Sequence, residues 1–359
     1  YENLNLSNKI FFFHFIKSLN KNNKDGTYIL GKNVKQFEKN FSNFLGGKYC
    51  VGVANGLDAL TISLKSLNLK KNSEVLVASN SYIACIISII NAGLKPVLVE
   101  PDIETYNINP SEIKKKLSKN TKVILAVHLY GKSCEMDQIK KICKEKKLYL
   151  IEDCAQSHGT KYKNKSTGLF GDYGCFSFYP TKNLGGLGDG GAIVTNSLQI
   201  AKTLTQLRQY GWSDKYNVKL AGGRNSRIDE IQASLLSTFL PYLNGWNERR
   251  REIASQYTCN ITNHKVYSLS VVATLSIVLA ALITVLTLAY IMLLKPLPYP
   301  EQMRLVKAEY AQIDQTGALN TRAFNYPALI DLYKNHRLFE QAALVYYGEQ
   351  RLDDVAGLP

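Results

Sequence analysis

The chain has 359 residues, 44 of them basic and 29 acidic, for a formal net charge of +15, with 45% hydrophobic and 10% aromatic side chains. That length holds two domains and a full core, and that apolar content excludes an intrinsically disordered chain. The positive charge is mostly lysine spread along helical faces such as "IKKKLSKNTK" and "IKKICKEKKL", with no aromatic-interleaved basic motif, so a nucleic-acid partner is not expected.

From the amino terminus to residue 263, short apolar runs rich in Val, Ile and Tyr alternate with helical patterns. The chain opens at Tyr1, so its natural start is expected upstream, and no signal peptide is visible. The predicted strands are "KYCVGVA", "EVLVAS", "KPVLVE", "KVILAVHL", "LYLIEDC", "GCFSFY" and "GAIVT". Between them fall the predicted helices "GLDALTISLKSLN", "SYIACIISIINAG", "PSEIKKKLS" and "MDQIKKICKEKK". Continuous apolar strands separated by helices predict an α/β fold with a mostly parallel sheet covered on both faces. In such sheets ligands bind at the carboxyl ends of the strands.

That rule singles out two strand ends. "LYLIED" ends in Glu152 and Asp153 and runs into "CAQSHG", bringing Gln156 and His158; "GCFSFY" carries Ser177 and leads to "PTKN" with Lys182. Each residue alone has a plain structural reading: a cap, a packed serine, a solvated lysine. The combination at one rim is what points to chemistry. "GLGDGG", Gly186 to Gly191, fits G-x-G-x-x-G, but it follows a lysine loop and enters a strand instead of opening a helix. A dinucleotide site is therefore not expected there; the glycines serve a tight turn.

All seven cysteines (Cys50, Cys85, Cys134, Cys143, Cys154, Cys175 and Cys259) precede residue 263, without a C-x-x-C pair. Their odd number and apolar settings predict reduced thiols in a cytoplasmic protein, with no metal site.

Composition changes abruptly near Asn263–Lys265. Residues 264–359 hold eight basic and eight acidic side chains, so the whole charge excess lies in residues 1–263. Val266 to Leu294 then carry no charge between Lys265 and Lys295. About 20 apolar residues cross a bilayer, so 266–294 is expected to be a transmembrane helix. "KPLPYPEQMRLV" stops it with three prolines. Together with "FNYPALIDLYKNHRLFEQAALVYYGEQRL", residues 264–359 resemble the start of a MacB-like ABC-transporter permease, with 295–359 as a partial periplasmic segment. The whole therefore reads as a join of two unrelated proteins. Arg249, Arg250, Arg251 and Lys265 before the span place the amino-terminal half in the cytoplasm, anchored to the inner membrane if the join is real.

Residues from Gly26 to Arg251 resemble the DegT/DnrJ/EryC1/StrS family of sugar aminotransferases, pyridoxal-phosphate enzymes of the aspartate-aminotransferase fold. The likeness rests on "GTYILGKNVKQFEKNF", "VGVANGLDALTISL", "HLYG", "IEDCAQSHG", "GDYGCFSFYPTKNLGGLGDGGAIVTN" and "NSRIDEIQASLL", in that order along the chain. It implies a fold-type-I large domain over 1–263 whose small carboxy-terminal domain is replaced by the apolar segment. It further implies that Lys182 forms the Schiff base with pyridoxal phosphate and that Asp153 salt-bridges the pyridine nitrogen. Gln156 would bond the ring's phenolic oxygen and Tyr82 stack on the ring. The amides of Gly56 and Leu57 and the Ser177 hydroxyl would bind the phosphate, although the family commonly has Thr where Leu57 stands. Asn225 would reach the phosphate of a neighbouring subunit, which implies a homodimer with shared active sites. The implied substrate is a dTDP-linked 3-keto-6-deoxyhexose with glutamate as amino donor, and His158, Tyr179 and His128 are candidates for its pocket. An inert cofactor binder and a membrane-anchored permease fragment remain the alternatives.

Overall fold

The computed structural model describes residues 26–263 and 265–291, positions 13, 16, 17 and 20, and the segments 310–313 and 319–322. The chain separates into two compact units, 1–263 and 264–359.

From residue 26 onward the first described element is helix α1 (Lys32–Leu45), which buries Val34, Phe37, Phe41 and Leu45 at helical spacing and ends on Gly46 in the left-handed conformation. Then follow β1 (Tyr49–Val53), α2 (Gly56–Ser66), β2 (Glu74–Ala78), α3 (Ile83–Asn91), β3 (Lys95–Val99), α4 (Pro110–Lys116) and β4 (Thr121–Val127). Next come α5 (Met136–Lys146), β5 (Tyr149–Asp153), a small hairpin of β6 (Lys161–Tyr162) and β7 (Lys165–Ser166), β8 (Tyr173–Ser177) and β9 (Gly191–Thr195). Helices α6 (Leu198–Leu207), α7 (Glu230–Phe239) and α8 (Leu243–Asn263) complete the unit.

All seven predicted strands form, and they make one seven-stranded sheet in the order β1-β9-β8-β5-β4-β2-β3. Pairings are parallel from β3 through β2, β4 and β5 to β8. Only β9 runs against its neighbours β8 and β1. Six strands therefore point their carboxyl ends to one rim, and β9 starts from that rim. Strands β2 and β8 are buried at every position, as two-sided cover requires. Edge strand β3 tolerates Pro96 because a lost ladder donor costs little there. One face of the sheet packs Val53, Val77, Ile151 and Cys175 with α2 and α3. Beyond the other face, Phe37 and Phe41 meet Phe176 and Phe178 edge-on at 5.0–5.3 Å.

The second unit carries α9 (Lys265–Ala289), which holds no charged residue after Lys265. Its stretch Leu269–Ala289 has a mean hydropathy of 2.6 and none of it is buried within the chain. Tyr310–Ile313 and Leu319–Arg322 pair as an antiparallel ribbon. Residues 292–294 of the expected span, the proline-rich stretch after it and most of the expected periplasmic segment lie outside the described residues.

Candidate active site

The carboxyl rim of the sheet brings the sequence-predicted residues of β5 and β8 together. Asp153 closes β5 and is paired across the sheet with Cys175 of β8 and Val127 of β4. Its side chain is buried, with Oδ1 accepting the Ala155 N–H at 3.0 Å and Oδ2 accepting the Cys85 thiol at 3.1 Å. Two positions beyond Cys175, Ser177 ends β8 opposite Gly191 of β9.

Chain reversal after β8 forms the lysine loop. The Lys182 N–H donates to the Tyr179 carbonyl at 2.8 Å, and the Gly186 N–H to the Phe178 carbonyl at 2.8 Å. This turn admits no side chain at Gly185, where a Cβ would stand 2.4 Å from the Pro180 carbonyl oxygen. The glycine string thus serves close backbone approach and leads into β9, as its order along the chain predicts. Lys182 itself is half-buried.

The phosphate candidates also converge. Helix α2 starts on Gly56 immediately after β1, capped by Asn55, whose Oδ1 accepts the Asp58 N–H at 2.8 Å. A helix leaves its first amides without partners of its own, so those of Gly56 and Leu57 face outward at the positive end of the dipole. A Cβ on Gly56 would lie 2.6 Å from the Ser177 Cβ and 3.1 Å from its Oγ, so hydroxyl and amides share one small cradle. Asp58 in that first turn would repel an anion, but Arg224 pairs with it at 2.6 Å.

Tyr82 precedes α3 and is 71% exposed, a ring free to cover a ligand. Gln156 accepts the Tyr130 N–H on Oε1 at 2.6 Å, leaving its Nε2 as a donor. Asn225 is exposed, in a backbone bridge with Gln209. Tyr179 is 53% exposed beside the lysine loop.

Two expectations fail on geometry. His128, predicted for a sugar pocket, is fully buried. Its Nε2 meets Glu152 Oε2 at 3.0 Å while Nδ1 accepts the Cys134 N–H, so both nitrogens are spent inside the protein. His158 is also buried, its ring packed against Phe176 and Phe178 at 5.6 and 5.8 Å. Burial first, and the nearby Lys182 charge second, pull its pKa down to about 3. It is a neutral ring beneath the lysine loop, not a wall of an open pocket.

Sequence reasoning also missed three structural supports. Glu152 takes the N–H groups of Gly168, Phe170 and Gly171 at 2.7–2.8 Å besides His128. Among the described residues, Glu152, His128 and Cys154 bring metal-type ligand atoms within 4.8 Å of one another. Both Glu152 oxygens are already saturated by those donors, which makes the group a buried brace. Asn247 of α8 accepts from Asn183 at 2.7 Å and donates to the His158 carbonyl at 2.8 Å, tying the lysine loop to the segment after Asp153. Tyr130 has φ 55°, a left-handed tyrosine that aims its N–H at Gln156. The last carries a signal in "HLYG", whose glycine marks a turn; the first two carry none.

Comparison with known proteins places these features in context. A model of the DegT/DnrJ/EryC1/StrS aminotransferase family matches residues 13–288, across the break in composition. A dTDP-3-amino-3,6-dideoxy-alpha-D-galactopyranose transaminase of Aneurinibacillus thermoaerophilus is 52% identical over 247 residues, which are 69% of this chain and 68% of that one. Among solved structures, DesV of S. venezuelae superposes with a TM-score of 0.70 at 35% identity, over 72% of this chain and 70% of that one. NtdA of Bacillus subtilis, solved with bound cofactor PMP, gives 0.66 at 31% identity, over 69% and 57%. The chain thus spans between 57% and 70% of the length of these proteins.

Proposed function

The chain belongs to the DegT/DnrJ/EryC1/StrS aminotransferase family, and from that premise we propose that it is a pyridoxal-phosphate transaminase. Its substrate in this reading is a nucleotide-linked keto-deoxysugar, a dTDP-3-keto-6-deoxyhexose, with glutamate as donor, for amino-sugar biosynthesis. One observation carries it: Asp153 and the Gly56–Ser177 cradle lie at the carboxyl rim of one sheet, and Lys182 stands in the turn that follows β8 at that rim. The sugar assignment is supported by the relative at 52% identity, a dTDP-3-amino-3,6-dideoxy-alpha-D-galactopyranose transaminase.

The residues present fit the cofactor. Pyridoxal phosphate supplies an aldehyde and an electron-withdrawing ring through which an amino group passes from amino acid to ketone. Lys182 would hold the cofactor through its Nζ, and that amine would serve as the group that accepts and returns a proton. Asp153 would hold a proton on the pyridine nitrogen. The amides of Gly56 and Leu57 and the Ser177 hydroxyl bind the phosphate, an anion at a helix amino terminus. Gln156 offers Nε2 to the ring oxygen because Tyr130 occupies its Oε1. Tyr82, 71% exposed, would cover the ring, and Tyr179, 53% exposed, would line the sugar pocket. Asn225, which is exposed, would serve the phosphate of a second copy in a homodimer.

A second reading concerns location. The uncharged, strongly hydrophobic 21-residue stretch Leu269–Ala289, none of it buried within the chain, supports anchoring in a membrane, with residues 1–263 on the cytoplasmic side.

Absorbance tests the first reading. Purified protein supplied with pyridoxal phosphate is expected to show the visible band of lysine-linked cofactor. Lys182→Ala should lose it and Lys114→Ala, on the far surface helix α4, should keep it. A folded wild-type chain without that band refutes the reading.

A further inference from the structure

Cys85 lies behind the proposed site and is not explained by it. It sits in the first turn of α3, fully buried, and its N–H donates to the Tyr82 carbonyl at 2.9 Å. One helical turn thus carries both the exposed Tyr82 ring and a thiol directed at Asp153. The Cys85 thiol donates to Asp153 Oδ2 at 3.1 Å, while the Ala155 N–H holds Oδ1 at 3.0 Å. One donor on each oxygen fixes the plane of a carboxylate that would otherwise turn about its last bond.

The plain alternative is that a small buried cysteine fills space among Val77, Ile89 and Ile151. The pairing of polar atoms argues otherwise, because no space-filling role requires the sulfur to face a carboxylate. The donor direction is also set. Burial first, and the Asp153 charge second, push the Cys85 pKa far above its ordinary value, so the group stays S–H at neutral pH and Asp153 is the acceptor. Cys175, opposite Asp153 in the sheet, is engaged instead with the Ser63 hydroxyl at 3.3 Å.

We propose that Cys85 is a positioning residue that orients the Asp153 carboxylate toward the pyridine nitrogen of the cofactor. The inference rests on the cofactor reading above. A thiol suits the task because it is a weak donor: it sets the direction of the carboxylate while leaving most of its negative charge for the ring.

The test compares Cys85→Ala, Cys85→Val and Cys85→Ser in the full chain. Spectrophotometric titration with pyridoxal phosphate should show Cys85→Ala and Cys85→Val binding about fivefold to tenfold more weakly, the loss of one ordinary hydrogen bond, as expected for a weak thiol donor. Cys85→Ser, which restores a donor, should recover most of that loss. In an Asp153→Asn background the Ala and Val effects should disappear. A packing role predicts the reverse order, with Val tolerated and Ser harmful, and that order overturns the proposal. A readout independent of the cofactor is the S–H stretch in the infrared difference between wild type and Cys85→Ala. It should lie below the free-thiol frequency and rise in Asp153→Asn, whose neutral amide oxygen is a weaker acceptor than a carboxylate. A chain that binds cofactor with an unshifted stretch overturns the inference alone. A shifted stretch in a chain that takes up no cofactor overturns the cofactor reading and, with it, the purpose assigned to this contact.

Discussion

Gly56 and Ser177 meet so closely that a side chain at residue 56 has nowhere to go: its Cβ would lie 2.6 Å from that of the serine. The contact joins the start of α2 to the end of β8. Gly56→Ala should therefore push the serine out of the cradle or shift the helix end. We expect cofactor affinity to fall at least tenfold, about 1.4 kcal/mol, with the melting temperature changed little. Ser177→Ala removes one donor and should cost less. Equal affinities for wild type and Gly56→Ala, measured by titration, would show that the cradle holds nothing.

Asp153 and Lys182 make a pair of opposite predictions. In the proposed reading Lys182→Ala removes the amine that would hold the aldehyde, so the visible band should go and turnover with it. Asp153→Asn retains the shape and both neighbouring donors but cannot hold a proton on the pyridine nitrogen. Cofactor should still bind, while transamination falls by orders of magnitude. Undiminished turnover in Asp153→Asn refutes the role.

Asn247 links two loops that sequence distance separates. Its Oδ1 takes Asn183 and its Nδ2 reaches the His158 carbonyl, so a single buried amide bridges the segments that follow β5 and β8. Asn247→Ala should loosen both loops at once, at a stability cost of about 1–3 kcal/mol for the groups left unpaired. Hydrogen exchange should quicken at residues 156–160 and 181–186 together. Protection unchanged at either loop would remove the bridge from the account.

These supports were not legible in the sequence, and the reason is physical. Strand ends declare themselves through period and composition, which is why Asp153, Ser177 and Lys182 could be named before any coordinates. Which way a residue turns just past a strand does not. Glu152 and Asp153 are neighbours that face opposite sides of the sheet, one into a brace and the other toward the rim. His128 follows β4 at the rim, yet its ring folds inward to Glu152. Cys85 reads as one more apolar residue within "IACII", and Asn247 as one more polar residue in an arginine-rich helix. Apart from the Cys134 N–H on His128, the partners of Glu152, His128, Cys85 and Asn247 lie 16 to 89 residues away, so no local pattern could reveal them.

Glu152 is the most committed of those residues. Fully buried, it accepts three backbone N–H groups and His128 Nε2. Glu152→Gln replaces one acceptor by an NH₂ facing donors and removes the charge the site is built around. The loss should be on the order of 3 kcal/mol, as for breaking one partner of a buried polar set. A urea midpoint equal to that of wild type would contradict it.

His158 gives the pH dependence of the fold. Its pKa is about 3 in the native chain, against 6.5 for the exposed ring. Between those values the unfolded chain binds a proton that the native chain does not. Stability therefore rises with pH across this window and falls as pH drops from about 6.5 toward 3, by at most about 1.4 kcal/mol per unit from this group. Above 6.5 both states are neutral at this ring and its contribution is level. His158→Phe, which keeps an aromatic ring between Phe176 and Phe178 and cannot titrate, should flatten that part of the profile. Urea unfolding at pH 7 and pH 5 settles the matter: wild type should lose more stability on acidification than His158→Phe. Identical losses would mean that the ring beneath the lysine loop is already protonated, or solvated, in the folded protein.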